Sequence, residues 1–296
     1  MQSFLLRRRA ALFSLAMLVV APLAAAEPTK TDAPKGQSIF SCGHSFHMFM
    51  PPILSAIAKS AGIEDHRQAG ASSIGGSYTH QHWAKEGPQA AKTLIPELKP
   101  DVLTLAPIYL PDDGIENFVK LCSEKIPTTR VLLQEFWLPF DVYKLNYKKE
   151  KVAAPNRDAT DMAKLEADHQ AYFKSMDGHV NELNAKYAGK PQVGIVPVGQ
   201  AVLALRKAVV AGKAPGIAKQ SELFTDPIGH CTNAIKVLNA YCHYAVIYGR
   251  SPVGLPVPTA LAMKDVDAET TAKLNTLLQE IAWDAVTSNP LTGVKK

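Results

Sequence analysis

Residues 37–62 read QSIFSCGHSFHMFMPPILSAIAKSAG, and their reading decides the fold. The opening QSIFSC is a short β-like run. The closing MPPILSAIAKSAG puts Ile53, Leu54, Ile57 and Ala58 at helical spacing, so it predicts a helix. Pro51 and Pro52 suit a first turn, where a missing N–H costs little, and Gly62 suits the stop. Between the two lies GHSFH, residues 43–47, with Ser45 inside the turn. A strand turning sharply into a helix is the first half of a β-α-β unit.

The same alternation continues. YTHQHWAKEGPQAAKTLIPEL predicts helix, broken near Gly87 and Pro88. DVLTLAP predicts a strand, GIENFVKLCSEKI an amphipathic helix and TRVLLQEFW a further strand. After residue 160 come a long helix (DMAKLEADHQAYFKSMDGHVNELNAKY), a strand (QVGIVPV) and a helix (GQAVLALRKAVVAG). Two more helices follow, CTNAIKVLNAYCHYAVIYG and AETTAKLNTLLQEIAWDAVTS. Right-handed crossovers turn this order into a three-layer α/β/α sandwich with a mostly parallel sheet of about five strands. Residues 141–160, DVYKLNYKKEKVAAPNRDAT, interrupt the pattern and predict a lid or surface insertion.

The chain has 296 residues and a formal charge of +5. Residues 1–26 have a basic start with Arg7, Arg8 and Arg9, an apolar run, and a small-residue end at Ala24–Ala26. That layout predicts an export signal peptide, with a membrane anchor as the alternative. Residues 27–36 predict a flexible lead-in, and 37–296 a single domain. Removing three arginines and no acids takes the charge from +5 to +2, so the mature protein is barely basic. No Lys/Arg stripe with interleaved aromatics is present, which argues against nucleic acid as a partner. No later segment is long and apolar enough to span a membrane. Export also places Cys42, Cys122, Cys231 and Cys242 in an oxidising compartment, where four cysteines allow three full pairings. No CxxC pair or zinc-type spacing occurs, so neither metal nor cofactor is expected.

In parallel sheets, functional groups gather on loops at the carboxyl ends of strands. Two loops carry the relevant chemistry: GHSFH, and FTDPIGHCTNA at 224–234. A serine hydroxyl becomes a nucleophile when a base takes its proton and a third group orients the base. Ser45, His230 and Asp226 supply these types. Read locally, Ser45 serves equally well as a helix cap.

Three blocks together resemble the SGNH/GDSL-type serine hydrolases, in the bacterial exported branch. IFSCGHSFH is similar to the family's strand and "GNSF" block. GASSIGGSYTHQHW is similar to the second block, and DPIGHCTNAIKVLNAYCHYAVIYGRSPVG to the last. The resemblance spans most of the chain after residue 36, in order. It implies a flavodoxin-like α/β fold and an exported esterase. It implies Ser45 as nucleophile, His230 as base and then acid, and Asp226 as orienting carboxylate. It also implies the Ser45 and Gly76 N–H groups as oxyanion donors. Its preferred substrate is an acylated carbohydrate, with other small-molecule or lipid esters left open.

Three positions depart from the family pattern. The third block normally supplies an oxyanion-binding Asn, but LTLAPIYLPDD has none; a backbone N–H near Ile108 or the Tyr109 hydroxyl are the replacements on offer. DPIGH spaces its acid and histidine one residue further apart than the family does. Either Gly229 absorbs the extra residue as a bulge, or a Ser–His dyad remains. His44 stands where an acid or amide is usual. His44, His47, Tyr109 and Trp137 are candidates for lining the substrate cleft. Trp83 and Trp137 read as sugar-stacking or core residues. Lys144, Lys148, Lys149 and Lys151 read as an acidic-substrate attractor or a solvated loop. A Cys42–Cys231 bridge would tie the two loops together. The missing Asn and altered spacing also keep open a non-catalytic ligand- or carbohydrate-binding protein on the same scaffold. A metal-dependent hydrolase using some of the nine histidines is a further rival.

Overall fold

The structure is a computed structural model that describes residues 33–144 and 152–296. Residues 1–32, with the expected signal peptide and most of the lead-in, lie outside the described residues. So do residues 145–151, which include Lys148, Lys149 and Lys151 of the insertion.

Five strands form the sheet: β1 (Ser38–Gly43), β2 (Arg67–Ser73), β3 (Val102–Leu105), β4 (Arg130–Gln134) and β5 (Val193–Val196). Their order is β2-β1-β3-β4-β5, and every neighbouring pair is parallel. The sequence patterns explain the positions. All six residues of β1 are buried, as a strand covered on both faces requires. The edge strand β2, RQAGASS, is mostly polar and partly exposed, which discourages pairing with another chain. Gly70 lets it run close over Phe40, because a Cβ there would meet the Phe40 ring at 2.6 Å.

Among the described residues, eight α-helices cover the sheet: α1 (Met50–Ser60), α2 (Thr79–Trp83), α3 (Ala91–Leu98), α4 (Asp113–Lys125), α5 (Met162–Lys186), α6 (Val198–Val210), α7 (Asn233–Tyr248) and α8 (Ala268–Ser288). Helices α1, α6, α7 and α8 pack into one layer, and α2, α3 and α4 into the other. α1 buries Ile53, Leu54, Ile57 and Ala58 and carries Pro51 and Pro52 in its first turn, as its spacing predicts. α7 is buried along nearly its whole length and ends at Gly249 in the left-handed region, φ 62°. Residues 33–296 form one compact unit. No helix among the described residues is long and apolar enough to cross a membrane.

Two expectations need correction. The four cysteines are free and buried, so no Cys42–Cys231 bridge joins the loops. Burial raises the Cys122 and Cys231 thiols to about 12 and Cys42 and Cys242 further still, so they are apolar fillers rather than reactive thiols. The insertion at 141–160 is not wholly a surface feature either. Its two described ends meet in the interior, where Arg157 and Asp141 pair at 3.6 Å with only 7% of each side chain exposed.

Candidate active site

The carboxyl end of β1 leads directly into the turn that presents Ser45. His47 N and Met48 N both donate to His44 O at 2.9 Å. His44 Nδ1 accepts from Phe46 N at 3.2 Å. A side-chain acceptor two residues ahead of an N–H is the geometry that Asp or Asn supplies in an Asx turn. Here the imidazole supplies it, so the His44 departure keeps the turn closed.

The second loop follows Phe224, which bridges antiparallel to Cys231. Asp226 Oδ1 accepts from Gly229 N at 2.9 Å and His230 N at 3.0 Å. Asp226 Oδ2 meets His230 Nδ1 at 2.5 Å. Gly229 takes φ +107°, a conformation glycine enters freely. His230 Nε2 lies 2.8 Å from Ser45 Oγ. The structure therefore brings Ser45, His230 and Asp226 into one continuous hydrogen-bonded chain. A carboxylate can only accept, so Nδ1 carries the proton and Nε2 is the acceptor for the Ser45 hydroxyl. Partial burial opposes the Asp226 charge. Bonds from the His230 ring and from the His230 and Gly229 amides outweigh it and hold the carboxyl below its ordinary value. All three groups stay reachable: Ser45 is half-buried, and His230 and Asp226 expose 39% and 36% of their side chains.

Other side chains hold these loops rather than line a cleft. Phe46 stacks on Trp137, centroids 4.6 Å apart and 11° between planes. It also sets its ring at 85° to His230, 5.4 Å away. Trp137 is buried and donates its Nε1–H to Gly229 O at 2.8 Å. Beneath the turn, Phe46 O accepts from Gln134 Nε2 at 3.1 Å and Asn239 Nδ2 at 3.3 Å. Gln134 Oε1 accepts from His47 Nδ1 at 2.7 Å, and His47 Nε2 lies 3.0 Å from Thr104 Oγ1. Burial lowers His47 to about 4, so the ring is neutral.

Of the four residues expected to line the cleft, the structure buries all. His47 is 1% exposed, and polar groups engage both its ring nitrogens. Tyr109 is 2% exposed and donates to Val142 O at 3.2 Å, among the rings of Phe136, Tyr143 and Tyr172. It therefore does not substitute for the missing Asn. Trp137 is a scaffold for the histidine loop, and His44 packs edge-on between Phe46 and Phe136. Trp83 packs edge-on against Phe118.

Gly76 lies in the turn after β2, with φ +58°, next to the first loop: Ile74 N donates to Gly43 O at 3.2 Å. His82, which no sequence pattern singles out, clasps this turn. Its Nδ1 lies 2.8 Å from Ser72 Oγ and its Nε2 2.7 Å from Ser77 Oγ. Burial, then Lys85, lowers it to about 4. The only sequence signal was a histidine set five residues after one serine and ten after another.

Among the described residues no group of three or more His, Cys, Asp or Glu side chains could hold a metal ion. Neither a family model nor a curated protein matches the chain. Among solved structures it is similar to a DUF4886 family protein from Bacteroides uniformis, at 15% identity and a TM-score of 0.53. That match covers 88% of this chain and 100% of the other. A candidate GDSL-like lipase from Parabacteroides merdae matches at 14% identity and a TM-score of 0.44, over 74% of this chain and 98% of that one. At such identities the first likeness shows a common fold. What the fold does must be argued from the site.

Proposed function

We propose that this protein is an exported SGNH/GDSL-type serine hydrolase that cleaves a carboxylic ester through an acyl-Ser45 intermediate. One observation carries the reading: the chain Asp226 Oδ2–His230 Nδ1 and His230 Nε2–Ser45 Oγ, at 2.5 and 2.8 Å. Nucleophile, base and orienting acid stand in sequence, within reach of solvent.

Ser45 Oγ attacks the ester carbonyl carbon as its proton passes to His230 Nε2. The imidazolium so formed is stabilised by Asp226. The carbonyl oxygen becomes an oxyanion, for which the Ser45 and Gly76 N–H groups are the proposed donors. The tetrahedral intermediate collapses, the C–O bond to the alcohol breaks, and His230 returns its proton to the leaving oxygen. Water then gives a proton to His230 Nε2 and attacks the acyl carbon. Collapse releases the carboxylic acid and restores the Ser45 hydroxyl.

An acylated carbohydrate is the proposed substrate class, supported by the family resemblance and the export-like start of the chain. The loop after β3 offers no Asn, and one lost oxyanion donor typically costs about a hundred- to a thousandfold in rate. That observation favours the second reading, a ligand-binding protein on a hydrolase scaffold. Turnover of short-chain nitrophenyl esters and acetylated oligosaccharides separates the two. The hydrolase reading expects turnover that falls at least about a thousandfold in Ser45→Ala. Saturable sugar binding with no turnover, unchanged in Ser45→Ala, supports the binding reading.

A further inference from the structure

Arg157 lies in the stretch that its sequence marks as an exposed insertion, yet its side chain is buried against the histidine loop. Its two terminal nitrogens donate to Asp226 O and Pro227 O, each at 2.9 Å. Its guanidinium lies over the Phe224 ring at 4.2 Å. Phe224, Asp226 and Pro227, on the amino side of the loop, are thus gripped by one planar group. Arg157 is itself anchored: its Nε stands 3.6 Å from Asp141 Oδ1. Arg206 of α6 binds both Asp141 oxygens at 2.9 Å and Gln220 Oε1 at 2.7 Å. The charged and titratable groups around this anchor are Asp141, Arg206 and Asp226, with His169 of α5 facing Asp141 and Arg206.

We propose that Arg157 is a positioning residue that fixes the Asp226–His230 loop against Ser45. The proposal deepens the serine-hydrolase reading and rests on it. It follows from the fork: two carbonyls bonded to one rigid plane cannot shift independently. The loop backbone at Asp226 and Pro227 cannot move without breaking one of these bonds.

Two variants test it. Arg157→Lys keeps the charge and loses the fork. Arg157→Gln loses both. The readouts are the maximal rate and half-saturating concentration of fluorophosphonate labelling of Ser45, and amide hydrogen exchange at Gly229 and His230. Both variants are expected to lower the maximal rate about tenfold or more while leaving the half-saturating concentration nearly unchanged, and to exchange faster at those amides. A folded Arg157→Lys with wild-type labelling and exchange overturns the positioning role, whether or not Arg157→Gln folds. If wild type is not labelled, the serine reading fails, and the exchange measurement still judges whether Arg157 holds the loop.

Discussion

Phe46 and Trp137 stack face to face, 4.6 Å apart, and each is fastened to a different loop of the site. Phe46 directly follows Ser45, and Trp137 holds Gly229 O through its indole N–H at 2.8 Å. The pair therefore sets the separation between the serine loop and the histidine loop, a task that a disulfide would otherwise perform. Trp137→Phe keeps most of the stack and deletes the hydrogen bond. It should lose about 1 kcal/mol of stability in urea denaturation and label about tenfold more slowly with a fluorophosphonate. Wild-type labelling in this variant would show that the Gly229 bond does not position the histidine.

Gln134 is the centre of the buried polar network under the nucleophile turn. Gln134→Leu leaves Phe46 O with one donor and His47 Nδ1 without its acceptor. Buried groups stripped of partners each cost about 1–3 kcal/mol. Asn239→Ala removes a 3.3 Å donor from Phe46 O, while Gln134 continues to serve it. Denaturant midpoints should therefore rank wild type above Asn239→Ala above Gln134→Leu, and the reverse order of the two variants would contradict the network.

The parallel sheet and its helices were legible because they rest on local periodicity. Ile53, Leu54, Ile57 and Ala58 repeat at helical spacing, and β1 is short and buried on both faces. The Ser45–His230–Asp226 chain was legible only by resemblance, since 185 residues separate the hydroxyl from the ring. The four residues expected to line the cleft were misplaced for one physical reason. Burial of a polar side chain depends on partners far away in sequence, and Gln134 is 87 residues from His47. Arg157 was hidden in the same way. A basic, proline-containing stretch reads as solvated, and only Asp141, Arg206 and two loop carbonyls turn it inward.

Buried neutral histidines make the fold acid-sensitive. Burial lowers His47, His82 and His169 to about 4, and His243 to about 3. The unfolded chain takes up protons on these rings below about pH 6.5, and the folded state does not. Stability is thus at its plateau above that value and is lost as pH falls toward 4. Each ring contributes about 1.4 kcal/mol per pH unit inside the window. Urea denaturation at pH 7, 6 and 5 should show a steep decline, and a flat profile would contradict the assigned burial.

Glu135 pulls in the opposite direction. It is fully buried, accepts from Gln200 Nε2 at 2.9 Å, and is raised to about 8 by burial. The folded state keeps its proton where the unfolded chain has lost it, so its contribution falls as pH rises from about 4.5 to about 8. Glu135→Gln removes that loss. The variant should gain stability over wild type as pH rises through this window, by up to about 3 kcal/mol at pH 7. An equal difference at pH 5 and pH 8 would show that Glu135 is already ionised in the folded protein.

The activation of Ser45 by His230 is tested most directly by peptide mapping after exposure to a fluorophosphonate. The expected result is one phosphonyl adduct on Ser45 in wild type, none in Ser45→Ala, and at least about a hundredfold slower labelling in His230→Ala. A folded wild-type protein that takes up no adduct, or labels at the same rate without His230, would contradict the account.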